Sequence, residues 1–297
     1  MDGQVSFLAW KSYLMHECIK PLFLIVGVLL ISVSPLFMSV EGFVWPGLEK
    51  IAGIFGQLMS PESLVYIHPE SGEERSLFPV IFKAFASSVT VLGTALVVSL
   101  SLALLGTLML WRAPKRIYQL SLSFTSILQS IPDVVFVVAS QMFLVWLYVE
   151  TGTTFIKLAG AGEGEAVLAP ALVLSILPTI YFFQSMLSLV EEEKEKPYYE
   201  MAVSKGLPKT FILLTHIMRN MLVRLSYQAK FLISIMVSNL LIVEYLFENF
   251  GMASFLLTYS QPPVFFVTAL LFFGPVYLVL KIVELTLYFF TRQEVSL

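Results

Sequence analysis

The chain has 297 residues, 57% of them hydrophobic and 13% charged, with a formal net charge of −3 and a mean hydropathy of +0.83. That balance excludes an ordinary soluble domain, in which about a quarter of residues are charged, and it supplies no basic field for a nucleic-acid partner. The one cysteine, Cys18, excludes an intrachain disulfide framework or a cysteine-built metal site and reads as a spare apolar thiol.

A hydrocarbon core about 30 Å thick requires about 20 apolar residues per helix, and six runs meet that need. The first is 21–40. It is too long for a cleavable signal and lacks a small-residue cleavage site, so it is expected to stay in the membrane. With the external loop 41–77 it makes an N-terminal segment, 1–77. The rest, 78–297, reads as a membrane core with spans at about 78–111, 117–149, 167–190, 229–250 and 264–290. The run 117–149 would measure near 50 Å as one helix, more than a bilayer. Pro132 is therefore expected to kink it, with a cytoplasmic extension toward Ile117.

Lys and Arg set the orientation, because basic short loops stay on the cytoplasmic side. Thirteen of the 18 fall in segments that share one side: Lys11, Lys20, Arg112, Lys115, Arg116, Lys194, Lys196, Lys205, Lys209, Arg219, Arg224, Lys230 and Arg292. Lys50, Arg75, Lys83 and Lys157 fall on the other side, and Lys281 lies within the last span. Both termini are expected in the cytoplasm.

The cytoplasmic segment between spans four and five, 191–228, is too patterned for a connector and reads as two short helices. Tyr198 to Lys205 suits about two turns, Gly206 suits a left-handed helix terminator, and Pro208 suits the start of the next helix. Beyond it, Leu207, Phe211, Leu214, Met218, Met221 or Leu222, and Leu225 recur at three- and four-residue steps, an amphipathic pattern with a greasy side for the bundle or a partner. A helix lying on the membrane surface would show the same pattern.

Polar residues inside spans are costly and tend to face a bundle interior or water. Asp133, just after Pro132, suits a solvated passage, and Gln129, Gln141, Gln184 and Asn239 are further candidates to line it. For the amides the competing use is a hydrogen bond between helices. Glu244 and Glu248 fall near the outer end of span five, where passage lining and plain solvent exposure are both open. Lys281 and Glu284, three apart, suit a helix-neighbour pair, and His68 in the external loop reads as a surface residue.

The loop also carries a motif. Glu200-Met201-Ala202-x-x-x-Gly206 keeps the spacing of the Glu-Ala-Ala…Gly motif of binding-protein-dependent ABC permeases. Tyr198, Ala202, Lys205, Gly206, Leu207, His216 and Asn220 stand where the peptide/nickel subfamily has its characteristic residues. Ser87 to Gly93, Ser130-Ile131-Pro132 and Val243-Glu244-x-x-Phe247-x-x-x-Gly251-Met252 resemble other segments of that subfamily. Over about 85–290 the chain thus resembles the oligopeptide/dipeptide/nickel permease family. Met201, Ala253, Thr291-Arg292 and the short 41–77 loop depart from its pattern.

The resemblance implies an all-α integral membrane protein of the type I ABC importer kind, with six transmembrane helices and a cytoplasmic coupling helix between spans four and five. It implies that Tyr198, Tyr199, Glu200, Ala202, Lys205, Gly206 and Leu207 couple the bundle to an ATPase subunit. The implied partners are a second permease subunit, identical or different, two cassette ATPases that use ATP and Mg²⁺, and an extracytoplasmic solute-binding protein in a prokaryotic cell membrane. No cofactor and no catalysis are expected of this chain, which lacks a G-x-x-x-x-G-K-[ST] loop, an H-E-x-x-H pair and a G-x-S-x-G elbow. A stand-alone secondary transporter or channel would instead predict coupling-ion sites, inverted halves and paired broken helices, and a non-importing membrane scaffold would have no use for the Glu200–Gly206 spacing.

Overall fold

The computed structural model describes residues 19–39, 42–60, 64–67, 72–111, 113–152, 167–259 and 261–291. Cys18, His68 and the cations Lys11, Arg112, Lys157 and Arg292 lie outside them. Among the described residues six helices are long and apolar enough to cross a membrane: α1 (Ile19–Phe37), α3 (Leu77–Leu110), α5 (Asp133–Thr151), α6 (Leu168–Lys194), the Arg224–Leu246 part of α9 (Met218–Leu246), and the Pro262–Glu284 part of α11 (Pro262–Thr291). Between them lie the helices α2 (Leu48–Met59), α4 (Lys115–Gln129), α7 (Pro197–Ser204), α8 (Lys209–Ile212) and α10 (Met252–Thr258). Two small antiparallel hairpins, β1–β2 (Met38–Ser39, Gly42–Phe43) and β3–β4 (Val65–Ile67, Glu74–Ser76), complete the described elements.

Chain contacts fall into two units, 1–85 with 255–276 and 86–254 with 277–297. In the first, α1 ends earlier than the expected 40. Its last turn, Ser34–Phe37, tightens to 3-10 geometry. Pro35 brings no N–H to the Ile31 carbonyl, and the Ser34 hydroxyl donates to that carbonyl instead at 2.7 Å. Tyr66, 3% exposed, packs edge-on against Phe255 and Tyr259 with ring centroids 5.8 and 4.7 Å away.

In the second unit α6 is the most buried span and packs against α9, α4 and α5. The α3 residues of this unit bury Ser88, Val91, Ala95, Ser99, Ala103 and Thr107 in a row of mostly small side chains at steps of three and four, the pattern that lets membrane helices approach closely. Phe143, Val97 and Leu278 are more than half exposed, as lipid-facing residues are.

Two expectations for this unit are corrected. The run 117–149 is not one kinked helix: α4 stops at Gln129 and α5 starts at Asp133. Pro132 has no donor to continue the α4 ladder and serves as the N-cap of α5, its carbonyl taking the Val135 N–H at 3.0 Å. Nor is the amphipathic helix separate from span five. From Lys209 the backbone stays helical through α8, a π turn at Leu213–Ile217, and α9 to Leu246.

Candidate functional site

The segment joining α6 to α9 is built around α7. Pro197 occupies its first turn and Lys196 its N-cap, where a missing N–H costs nothing. At the other end Gly206 takes φ +74°. The Leu207 N–H then reaches the Ala202 carbonyl at 3.3 Å and the Gly206 N–H the Val203 carbonyl at 2.9 Å, closing a Schellman motif that needs the left-handed residue. Ala202 is buried at 6% exposure, while Glu200, Met201, Val203 and Lys205 are exposed. Tyr199 and Leu207 are partly buried and pack on the core formed by Phe182, Met186, Ile212, Ile217 and Met221. Alongside lies a groove of about 460 Å³ walled by Tyr198, Met201, Ala202, Lys205 and Leu207 on one side and Thr215, His216, Arg219 and Asn220 on the other.

The centre of this arrangement was not singled out by sequence reasoning. Glu193, in the last turn of α6, is fully buried and accepts hydrogen bonds from Lys196 Nζ, Tyr198 Oη and, at 3.0 Å, Asn220 Nδ2. Burial, and next the bond into Glu193, push the Tyr198 phenol above its usual range and keep it a donor. The preceding Glu192 pairs with Arg224 of α9. Lys194 stands over the rings of Trp111 and Tyr118, 4.9 and 5.1 Å from their centroids, and the Tyr118 hydroxyl donates to the Leu187 carbonyl. The signal was present as the run Glu191-Glu192-Glu193-Lys194-Glu195-Lys196, but such a run reads by itself as a solvated face.

The polar candidates within the spans form pairs instead of one cluster. Asp133, half-buried at the first turn of α5, accepts from Asn239 Nδ2 at 3.1 Å, and Gln141 Nε2 donates to the Leu246 carbonyl at 2.5 Å. These two contacts lay α5 beside the second half of α9. Gln184 Nε2 donates to Ser126 Oγ at 3.0 Å, tying α6 to α4. Gln129 is half-buried at the end of α4. The break between α4 and α5 therefore lies level with Asn239, about 22 Å along α9 from Arg224 at 1.5 Å per residue, deep within the span.

Glu244 is wholly buried. It takes the Ser88 hydroxyl at 2.5 Å on one oxygen and the Ala253 and Ser254 N–H groups at 2.9 and 3.0 Å on the other. Ser88 Oγ in turn accepts the Met252 N–H at 2.7 Å. The carboxylate caps the start of α10 and holds it to α3, so two stretches that carried the family resemblance meet in space. Glu248 ends α9 exposed, with φ +50°. Lys281 and Glu284 pair at 2.7 Å.

No curated protein matches the chain. Residues 95–289 match the family described as binding-protein-dependent transport system inner membrane component. That match runs from α3 through the α7 segment, the α4–α5 break and the Glu244 cap to α11, and the six apolar helices make the chain a multi-pass, all-α membrane protein. The chain accordingly belongs to the inner-membrane components of binding-protein-dependent transport systems, the permeases of ABC importers.

Proposed function

We propose that this permease subunit carries peptides or related small solutes, nickel complexes included, from an extracytoplasmic binding protein to the cytoplasm, and that α7 with Gly206 and Leu207 is where an ATPase subunit docks. On this reading the core 78–297 pairs with a second permease subunit around a central passage, and one of two ATPases sits beneath each. The chain itself catalyses nothing. The reading of the solute rests on the peptide/nickel-type residues Tyr198, Lys205, Gly206, Leu207, His216 and Asn220. The passage reading rests on the irregular backbone at Ser130–Pro132 and the Asp133–Asn239 pair deep in the bundle, since non-helical backbone at that depth persists where it is buried in protein or lines water.

One observation supports docking above all others. α7 is a two-turn helix that buries only Ala202 fully and turns Glu200, Met201, Val203 and Lys205 outward, while its base is bonded to α6 and α9. An exposed mixed apolar and charged face on a fixed base is what a partner cleft with a polar rim receives. Deleting 199–206 is expected to leave the chain in the membrane while abolishing co-purification of the ATPase and uptake. Full ATPase recovery with the deleted chain would end the docking assignment.

A further inference from the structure

Glu193 draws donors from three places at once. Lys196 is the N-cap of α7, Tyr198 lies in its first turn, and Asn220 lies on α9. Its own backbone belongs to α6. One position earlier, Glu192 reaches Arg224, a single helical turn along α9 from Asn220. The end of α6 is therefore fastened to α9 at two levels, and at the buried level α7 is fastened to both.

That fastening is needed for α7 to transmit anything. A helix of eight residues has no stability of its own, and the residues between α6 and α7 are only Glu195 and Lys196. Were the base of α7 held by backbone alone, rotation about that turn would absorb a push on α7. A buried carboxylate with three donors resists this, because charge-assisted bonds fix direction as well as distance and leaving the Glu193 carboxylate, 0% exposed, without its donors is costly.

From this we infer that Glu193 is the positioning residue of the coupling segment, a clasp that makes α6, α7 and α9 move as one piece so that displacement of α7 reaches both spans. The inference rests on α7 being the ATPase-docking helix. Glu193 is fully buried and acts through Tyr198, Lys196 and Asn220.

The test uses the whole transporter in proteoliposomes and reads three quantities together: ATPase subunits retained, ATP hydrolysed, and solute imported per ATP. Glu193→Ala is expected to retain the ATPase, because the outward face of α7 is unchanged, and to lower import per ATP by about tenfold, within the usual range of coupling between sites. Glu193→Gln, which keeps an acceptor oxygen but loses the charge, should lie between. A loss of packing alone would not respond to a tether, so the second arm places cysteines at Lys196 and Asn220 in a Cys18→Ser, Glu193→Ala chain and joins them with a short bismaleimide. Cross-linking is expected to restore import per ATP. Tyr198→Phe removes one arm of the clasp without a charge change and covers the case in which Glu193→Ala does not fold; it should show a partial loss.

Unchanged import per ATP in Glu193→Ala or in Tyr198→Phe, with ATPase retained, would overturn the clasp, as would a completed cross-link that restores nothing. Failure of the docking reading looks different: the 199–206 deletion would then keep its ATPase, whatever Glu193→Ala does.

Discussion

At Gly206 the backbone alone decides which side chains are admitted. Its φ is +74° and an added Cβ would meet nothing within 4 Å, so substitution costs only the left-handed conformation, about 1–2 kcal/mol for most residues and less for Asn. Uptake by Gly206→Asn should stay close to the parent, Gly206→Ala should lose part, and the β-branched Gly206→Val most. Equal uptake in all three would show that the Schellman turn is not required. Gly251 presents the opposite case, because a Cβ there would overlap the Glu244 carboxylate. Glu244 could yield only by abandoning Ser88, Ala253 and Ser254, at about 1–3 kcal/mol for each bond. Gly251→Ala should therefore lower the melting temperature of the detergent-purified chain by about 10 °C, whereas Gly93→Ala, with open space around it, should shift it by no more than about 2 °C. Matching shifts for the two would remove the Glu244 cap as a stabilising contact. Gly206 was legible in the sequence because the residue type and the helix end agree locally. Glu193 was not, because a glutamate in an acidic run reads as solvated even where it continues the buried α6 face of Met186, Leu189 and Val190, and its partners Tyr198 and Asn220 stand 5 and 27 residues away.

Hydropathy finds elements by solvent and misses where the backbone continues. Five of the spans emerged from their apolar runs to within a few residues, since lipid demands about 20 of them each; the run 117–149 did not, because α4 takes its first part and the span begins only at Asp133. The passage from Lys209 to Leu246 changes from amphipathic to apolar near Arg224, and that change of surroundings looked like a change of element. The helix period itself does not break there: Ile217, Met221, Leu225, Leu232 and Met236 stay buried along one side. The π turn at Leu213–Ile217 was invisible for a similar reason, since one extra residue in a turn leaves the apolar pattern on either side intact. Continuity has a consequence for the proposed coupling, because an unbroken α9 would carry motion of Asn220 and Arg224 into the span. Gln228 is exposed in the middle of this helix, so Gln228→Pro should break the ladder at a cost of about 3 kcal/mol or more without touching a packed side chain. Uptake should be lost while ATPase co-purification persists, and Gln228→Ala should be silent in both assays. Normal uptake by the proline variant would mean that the two halves of α9 work independently.

For the molecule as a whole, the distribution of charge predicts an orientation. The described cations Lys115, Arg116, Lys194, Lys196, Lys205, Lys209, Arg219 and Arg224 all flank the ends of spans that would share one face of the bilayer, whereas Lys50, Arg75 and Lys83 belong to the α2 to α3 region that would lie on the other. A positively charged short loop is retained in the cytoplasm, so on the proposed reading α7 and its groove would face the side where ATP is available. A flipped bundle would place α7 where no ATPase exists, so orientation is a condition of the entire reading. Single cysteines in a Cys18→Ser chain decide it, at Ser60 after α2 and at Ser204 in α7, both exposed. A membrane-impermeant maleimide applied to intact spheroplasts should label the cysteine at position 60 and spare the one at 204, and inside-out vesicles should give the reverse. Labelling at 204 from the outside of sealed spheroplasts would invert the chain and remove every nucleotide-driven role assigned to α7 and Glu193.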